Sequence, residues 1–404
     1  MKLNRNLCVV NIGPSRFFLH QTAQSLARDS FDVQTISGLV ANSRNPISRA
    51  VRRFFKSGTR LIQRVDGVND QITRYESLSG EFFWQIGTFL GRYKLMSSIS
   101  NFFYSLSLTC FDLLGIWVLR KYEKGLSGIY YVRSGCGNRS IPYAADLGFK
   151  IVVDHSTTHP LYDLSGTRMS RTENYSRFSV EARMIADLNQ NDNIIVNSQF
   201  VLDTFRIVGD KRELKVLLPP IDSRFSQILR QTNSKFREGL VYFGLASARK
   251  GIRELAEVLA FLPKSLPVNI IGNWKPEMYA IRSSLSKMVN VKLEPHCDYE
   301  QLVQRLSSAR YFLFIAQGEG SARTVGEALH SGLIVLTTKH AGMPFQKESI
   351  LDITGLSALE IAELILELEE NEQLREHISK NARKYIQQLE KDYELSLVEY
   401  LRTL

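Results

Sequence analysis

The sequence predicts an α/β protein built from two doubly wound domains of similar size that face a cleft, with a helical insertion in the first domain. Three observations predict it. Short β-branched and aromatic runs alternate with amphipathic helical patterns along most of the chain. That alternation breaks once, near Pro219 and Pro220. At 404 residues the chain is also too long for one ordinary domain. Strand and helix in strict alternation build parallel sheets through right-handed crossovers.

In chain order, LCVVNI (7–12), GIYYV (128–132), FKIVVD (149–154) and NIIVNS (193–198) read as buried parallel strands. They define a first domain over residues 1–220, with the insertion at about 40–125. Pro219 and Pro220 stop the preceding strand, and the polar stretch after Phe225 reads as a linker. GLVYFG (239–244), PVNIIG (267–272), VKLEP (291–295), YFLFIA (311–316) and LIVLTT (333–338) follow. Between them, RELAEVLAFL (253–262) and EQLVQRLSSA (300–309) carry helical periodicity, which gives a second domain over 238–375. Residues 376–404 read as C-terminal helices that cross back to the first domain. Ligands of such sheets bind beyond the carboxyl ends of the strands. The loops with Gly13, Asp154 and His155, Gly244, Gly272 and residues 317–321 are therefore candidate site walls.

Composition excludes several classes. The chain is 44% hydrophobic and 23% charged with no low-complexity tract, so it is globular rather than disordered. Cys8, Cys110, Cys136 and Cys297 are scattered, which fits reduced thiols of a cytoplasmic protein and neither a disulfide framework nor a zinc site. The opening MKLNRNLCVVNIGPSRFF has an apolar run too short for a signal peptide. FFYSLSLTCFDLLGIWVL (102–119) is the one transmembrane candidate. Asp112 near its middle would cost roughly 3 kcal/mol in a bilayer, so it reads as a buried helix of a soluble domain. The net charge of +10 favours an anionic partner without choosing among them.

Residues 45–65, NPISRAVRRFFKSGTRLIQRV, are distinct. Asn45 and Pro46 suit an N-cap and first helical position. Ile47, Val51, Phe54, Phe55, Leu61, Ile62 and Val65 fall on one arc, with Arg49, Arg52, Arg53, Lys56, Arg60 and Arg64 opposite. That pattern suits a helix lying on an anionic membrane surface, or a solvated face over a packed helix. Gly58 costs it about 1 kcal/mol relative to Ala.

The densest motif is GEGSARTVGEALHSGLIVLTTKHAGMP, residues 318–344. It sets Glu319 and Glu327 around small residues that open a helix, then Gly332 and an apolar strand. A helix N-terminus offers unpaired amides and a positive dipole end, which attract anions. The carboxylates either cap that helix or frame a seat for another anion.

Together with FGLASARKG (243–251), VVDHSTTH (152–159) and NIIVNSQFVLDTF, this motif resembles glycosyltransferase family 4, retaining nucleotide-sugar enzymes of the GT-B fold. The likeness covers most of residues 128–345. It implies two Rossmann-like domains and a donor seat made by Gly13, Gly244, Arg249, Lys250, Gly320, Ser321, Ala322, Arg323 and Glu327. Lys250 would supply a charge to the diphosphate, and Gly320, Ser321 and Ala322 would let helix amides approach it closely. Glu327 would accept from ribose hydroxyls and Glu319 would hold a sugar hydroxyl, while His155 faces the cleft beside sugar or acceptor. The catalytic positions are then His155 and Glu319. The chain departs from the family at Leu245, where an arginine is usual and Arg249 or Arg323 would substitute, at Ala322 for a glycine, and at Phe345 for an acid.

The expected activity is retaining transfer of a sugar from a nucleotide-diphosphate donor to a glycan or lipid-linked acceptor. The sequence has no Asp-x-Asp motif, so neither a metal nor another cofactor is expected. The enzyme would be cytoplasmic or peripheral on the inner face of a membrane, touched through residues 45–65. The alternative is a catalytically impaired module of the same fold that binds glycan or membrane. No nucleic-acid partner is expected, because no interleaved basic and aromatic module is present.

Overall fold

A computed structural model describes residues 7–14, 18–39, 72–91, 93–163, 167–168, 179–221, 223–230, 237–346 and 348–404. The basic amphipathic segment 45–65 lies outside the described residues.

The first domain is organised on a sheet of seven strands. They are β1 (Leu7–Gly13), β2 (Asp32–Ser37), β3 (Thr73–Glu76), β4 (Gly128–Arg133), β5 (Lys150–His155), β8 (Ile194–Val196) and β9 (Lys215–Val216). Their order is β3-β2-β1-β4-β5-β8-β9, and every neighbouring pair is parallel. Two short strands, β6 (Tyr162–Asp163) and β7 (Thr167–Arg168), form an antiparallel pair apart from it. The second sheet runs β12 (Val291–Glu294), β11 (Val268–Ile271), β10 (Leu240–Phe243), β13 (Tyr311–Phe314), β14 (Ile334–Thr337) and β15 (Ile350–Asp352), again all parallel. Central strands such as β1, β10, β13 and β14 are buried at every residue, which explains their unbroken apolar runs. Strand order reverses between β1 and β4 in one sheet and between β10 and β13 in the other. A ligand crevice opens at such a switch point.

The polar stretch after Phe225 is not simply a linker. Residues Ser223–Arg230 form a helix, and Phe225 is fully buried in the second core, edge-on to Tyr299 at 5.6 Å. The C-terminal segment is one helix, Glu372–Thr403. Its first half buries Ile378, Ala382 and Ile386 in the second core, and its last turns bury Tyr393, Leu397 and Leu401 in the first. Tyr393 and Thr22 share a 2.6 Å hydroxyl contact, and Arg402 donates to Asp29 at 2.7 Å. That helix ties the domains together.

Within the insertion, helices Leu78–Leu90 and Ser97–Leu119 pack against each other, and the second also packs against β1 and β2 of the first sheet. The Asp112 carboxylate accepts from Ser140 N at 2.8 Å, Ser140 Oγ at 2.7 Å and Arg139 N at 3.1 Å, and it pairs with Arg183 at 3.3 Å. Helix Ser140–Leu147 has no side-chain cap of its own. Asp112 supplies that cap from a different helix, satisfying amides that would otherwise be orphaned. Beside it, Asp187 accepts from Gly135 N and Gly137 N at 2.7 and 2.8 Å. Burial nevertheless raises its carboxyl to about 8.

Candidate active site

The site grows from the carboxyl ends of β10 and β13. After β10 the chain turns at Gly244, whose φ of +135° favours glycine, and reaches a 3-10 turn, Ala248–Lys250. That turn presents Arg249 and Lys250 before helix Ile252–Phe261 begins. Gly251 (φ +71°) makes the step feasible, because a Cβ there would lie 1.9 Å from Ile315 O of the loop after β13.

The loop after β13 is held against this turn. Gln317 N donates to Arg249 O at 2.9 Å, and Arg249 Nη1 donates to Gly318 O at 2.7 Å. Glu319 Oε1 then lies 2.9 Å from Arg249 and 3.2 Å from Lys250, although neither contact has the angles of a full hydrogen bond. Lys250 Nζ sits 5.4 Å over the ring of Phe314, and burial lowers its ammonium, with Arg249 and Arg323 adding repulsion and Glu319 opposing. Arg249 and Lys250 thus flank one buried carboxylate, with Arg323 near enough to repel Lys250. The local excess is positive.

The same loop opens helix Arg323–His330. Glu319 N and Ala322 N are occupied by His340 O and Ala341 O, each at 2.8 Å. Among the described residues, the amides of Gly320, Ser321, Arg323 and Thr324 make no hydrogen bond. The buried Thr324 Oγ1 likewise has no partner among them. Unpaired amides at a helix start, close in the chain to a glutamate that a largely enclosed lysine contacts, form a seat for an anion. Ser321 reaches only Met343 Sδ at 3.8 Å. Glu327, one turn beyond Arg323, is buried and accepts from Tyr299 Oη at 3.4 Å.

The first domain meets this loop directly. A Cβ on Gly320 would lie 1.9 Å from Ser156 O, and Ser198 Oγ donates to Gly320 O at 2.5 Å. Ser198 also caps its own helix through Val201 N, and the next residue but one, Phe200, meets His340 edge-on at 5.2 Å. The interdomain contact therefore lies beside the anion seat.

His155 closes β5 immediately before Ser156, and it is fully buried rather than open to a cleft. Its Nε2 faces Thr158 O at 3.2 Å, and a carbonyl only accepts, so that nitrogen carries the proton. Nδ1 then accepts from Ser134 Oγ at 2.9 Å. Burial lowers the imidazole to about 4, so it is neutral at ordinary pH. The folded value lies below the ordinary 6.5, so the unfolded chain binds the proton first and stability falls as pH drops from 6.5 toward 4. A shift of that size corresponds to about 3 kcal/mol. His155→Gln is expected to remove that part of the acid sensitivity in urea titrations at several pH values, and unchanged sensitivity would contradict the assignment.

Gly13 (φ +70°) has Cys136 Sγ and Arg133 as its neighbours, both of its own domain. Thr324, Ser156 and Ser198 are functional neighbours that the sequence motifs do not mark as site residues. Thr324 had a visible signal, a hydroxyl residue at the second position of an expected helix. Ser156 and Ser198 act across domains and had none.

Residues 227–385 match the family of glycosyl transferases group 1. No curated protein matches the chain by sequence. Among solved structures, sucrose-phosphate synthase from Thermosynechococcus elongatus is 16% identical with a TM-score of 0.68 over 99% of both chains. HepE from Anabaena in complex with UDP-glucose is 14% identical with a TM-score of 0.60 over 99% of this chain and all of that one. WaaG, a glycosyltransferase involved in lipopolysaccharide biosynthesis, is 14% identical with a TM-score of 0.60 over 97% and 98% of the two chains. At such identities the likeness is one of fold.

Proposed function

We propose, from the premise that this chain has the GT-B fold and a second domain matching glycosyl transferases group 1, that it transfers a sugar from a nucleotide-diphosphate donor. One observation carries the reading. Lys250 and Arg249 meet Glu319 after the central strands of the second sheet, and the unpaired amides of Gly320, Ser321, Arg323 and Thr324 follow that glutamate directly in the chain. A diphosphate matches those charges and donors.

In this reading the sugar C1–O bond to the diphosphate breaks while the acceptor oxygen attacks from the same face, and the leaving phosphate oxygen takes the acceptor proton. Configuration is retained and no protein nucleophile is used. Lys250 and the helix amides stabilise the charge that develops on the leaving group, and no metal is required. Arg249 serves in place of the arginine missing at Leu245. Glu319 holds a sugar hydroxyl once the donor draws the cations toward its phosphates, and Glu327 accepts from the ribose. Gly13 lets the first-domain loop approach. His155 is a positioning residue that shapes the loop of Ser156 against Gly320. The acceptor is a glycan or lipid-linked glycan reached from the inner face of a membrane, with residues 45–65 lying on anionic lipid.

A thermal-shift panel of nucleoside diphosphates and their sugars tests this, starting with UDP-glucose. A ligand at 100 times its Kd adds about 2.7 kcal/mol of stability. A shift with one nucleotide, absent in Lys250→Ala, supports the reading. No shift with any of them favours the non-catalytic module that Leu245 suggests.

A further inference from the structure

We propose that the helical hairpin of Leu78–Leu90 and Ser97–Leu119 inserts its outer face into the surface of an anionic phospholipid bilayer. This holds independently of the donor chemistry, and it concerns residues other than 45–65.

The inner seam of the hairpin sets glycines and serines against rings, with Leu108, Phe111, Val118 and Leu119 buried in the first-domain core. A Cβ on Gly80 would lie 2.6 Å from the Phe111 ring, and one on Gly87 would lie 2.8 Å from Tyr104. Ser107 Oγ and Ser100 Oγ donate across the seam to Gly80 O and Gly87 O at 2.6 and 2.7 Å. Close backbone approach through small residues, with serines bonding across, is how helices pair where lipid covers their outer faces.

A second set of large apolar side chains points outward. Phe82 and Phe89 lie seven residues apart on the first helix and are 62% and 54% exposed. On the second, Ile99, Phe102, Leu113 and Trp117 follow helical spacing and are 45–51% exposed. Rings of Phe82, Phe83, Phe103 and Phe102 run in contact from one helix to the other, so the two stripes form one face. Leu95 in the connecting turn is 97% exposed. A contiguous apolar face of this kind marks an interaction surface.

Charge selects lipid as the occupant. From Leu78 to Leu119 the sequence holds only Glu81, Arg92, Lys94 and Asp112 among its acids, lysines and arginines. Both acids are buried, which leaves the turn with a purely cationic sequence. At the base, Lys121 Nζ lies 3.9 Å over Trp117 and 4.1 Å over Tyr75, a cation and amphipathic rings of the type found at headgroup level. Insertion is shallow. The first helix spans about 20 Å, less than a bilayer core of about 30 Å, and Asp112 anchors the second to the sheet domain.

The test uses the full chain in flotation with vesicles of phosphatidylcholine alone or mixed with phosphatidylglycerol. The wild type should float with the mixed vesicles and less with the neutral ones. Phe89→Ser, Leu95→Ser and Phe102→Ser combined should cut the partition at least tenfold. Phe102→Trp, a gentle change, should show a blue-shifted emission on adding mixed vesicles. Equal flotation of wild type and triple variant overturns the proposal, as does no flotation or no spectral shift. Self-association lost in the triple variant, without vesicle binding, overturns it in favour of a second copy.

Discussion

Lys250→Ala is expected to lose about two to three orders of magnitude in kcat with its nucleotide-sugar donor, in the range seen when one donor to a developing charge is removed. The side chain is largely buried, leans over Phe314 and lies 3.2 Å from Glu319, so water does not replace it well. Lys250→Arg should rescue little. A planar guanidinium does not fit where a compact ammonium is enclosed by a tight turn and an aromatic ring. Arg249→Ala should cost less, since that side chain is about half exposed (48%) and screened by solvent. Single-turnover rates with matched thermal melts separate chemistry from folding. A Lys250→Ala enzyme with wild-type turnover would remove the lysine from the anion seat.

Asp112→Ala is expected to destabilise the first domain by about 3–5 kcal/mol, the usual consequence of breaking a buried pair from one side. The change strips the cap from helix Ser140–Leu147 and leaves Arg183 facing an empty place. Asp112→Leu distinguishes two pictures of helix Ser97–Leu119. In a lipid-spanning helix leucine would be favourable, whereas here it should destabilise nearly as much as alanine, because the orphaned amides of Arg139 and Ser140 remain. Urea titration of either variant reads the loss, and an unchanged midpoint would contradict the capping role.

The central strands were legible because a strand buried on both faces needs an unbroken apolar run, a local property. In the two main sheets, the strands that escaped, β2, β3 and β15, are short or of mixed polarity, and two of them close a sheet at its edge. Edge positions relax the demand for apolar side chains. Helix Ser223–Arg230 escaped because polar neighbours mask Phe225, whose burial depends on Tyr299 far along the chain.

By itself the sequence determined two α/β units, the turn that carries Arg249 and Lys250, and a helix start spaced between two glutamates. Those features repeat within a few residues, where hydrophobic period and glycine placement act. Only the tertiary structure decided that Asp112 caps a neighbouring helix, that His155 is sealed behind Ser134 and Thr158, and that Gly320 bears on Ser156. Each of these depends on what a side chain faces after folding. A partner 28 residues away for Asp112, or 122 for Ser198 and Gly320, leaves no periodic trace in the chain.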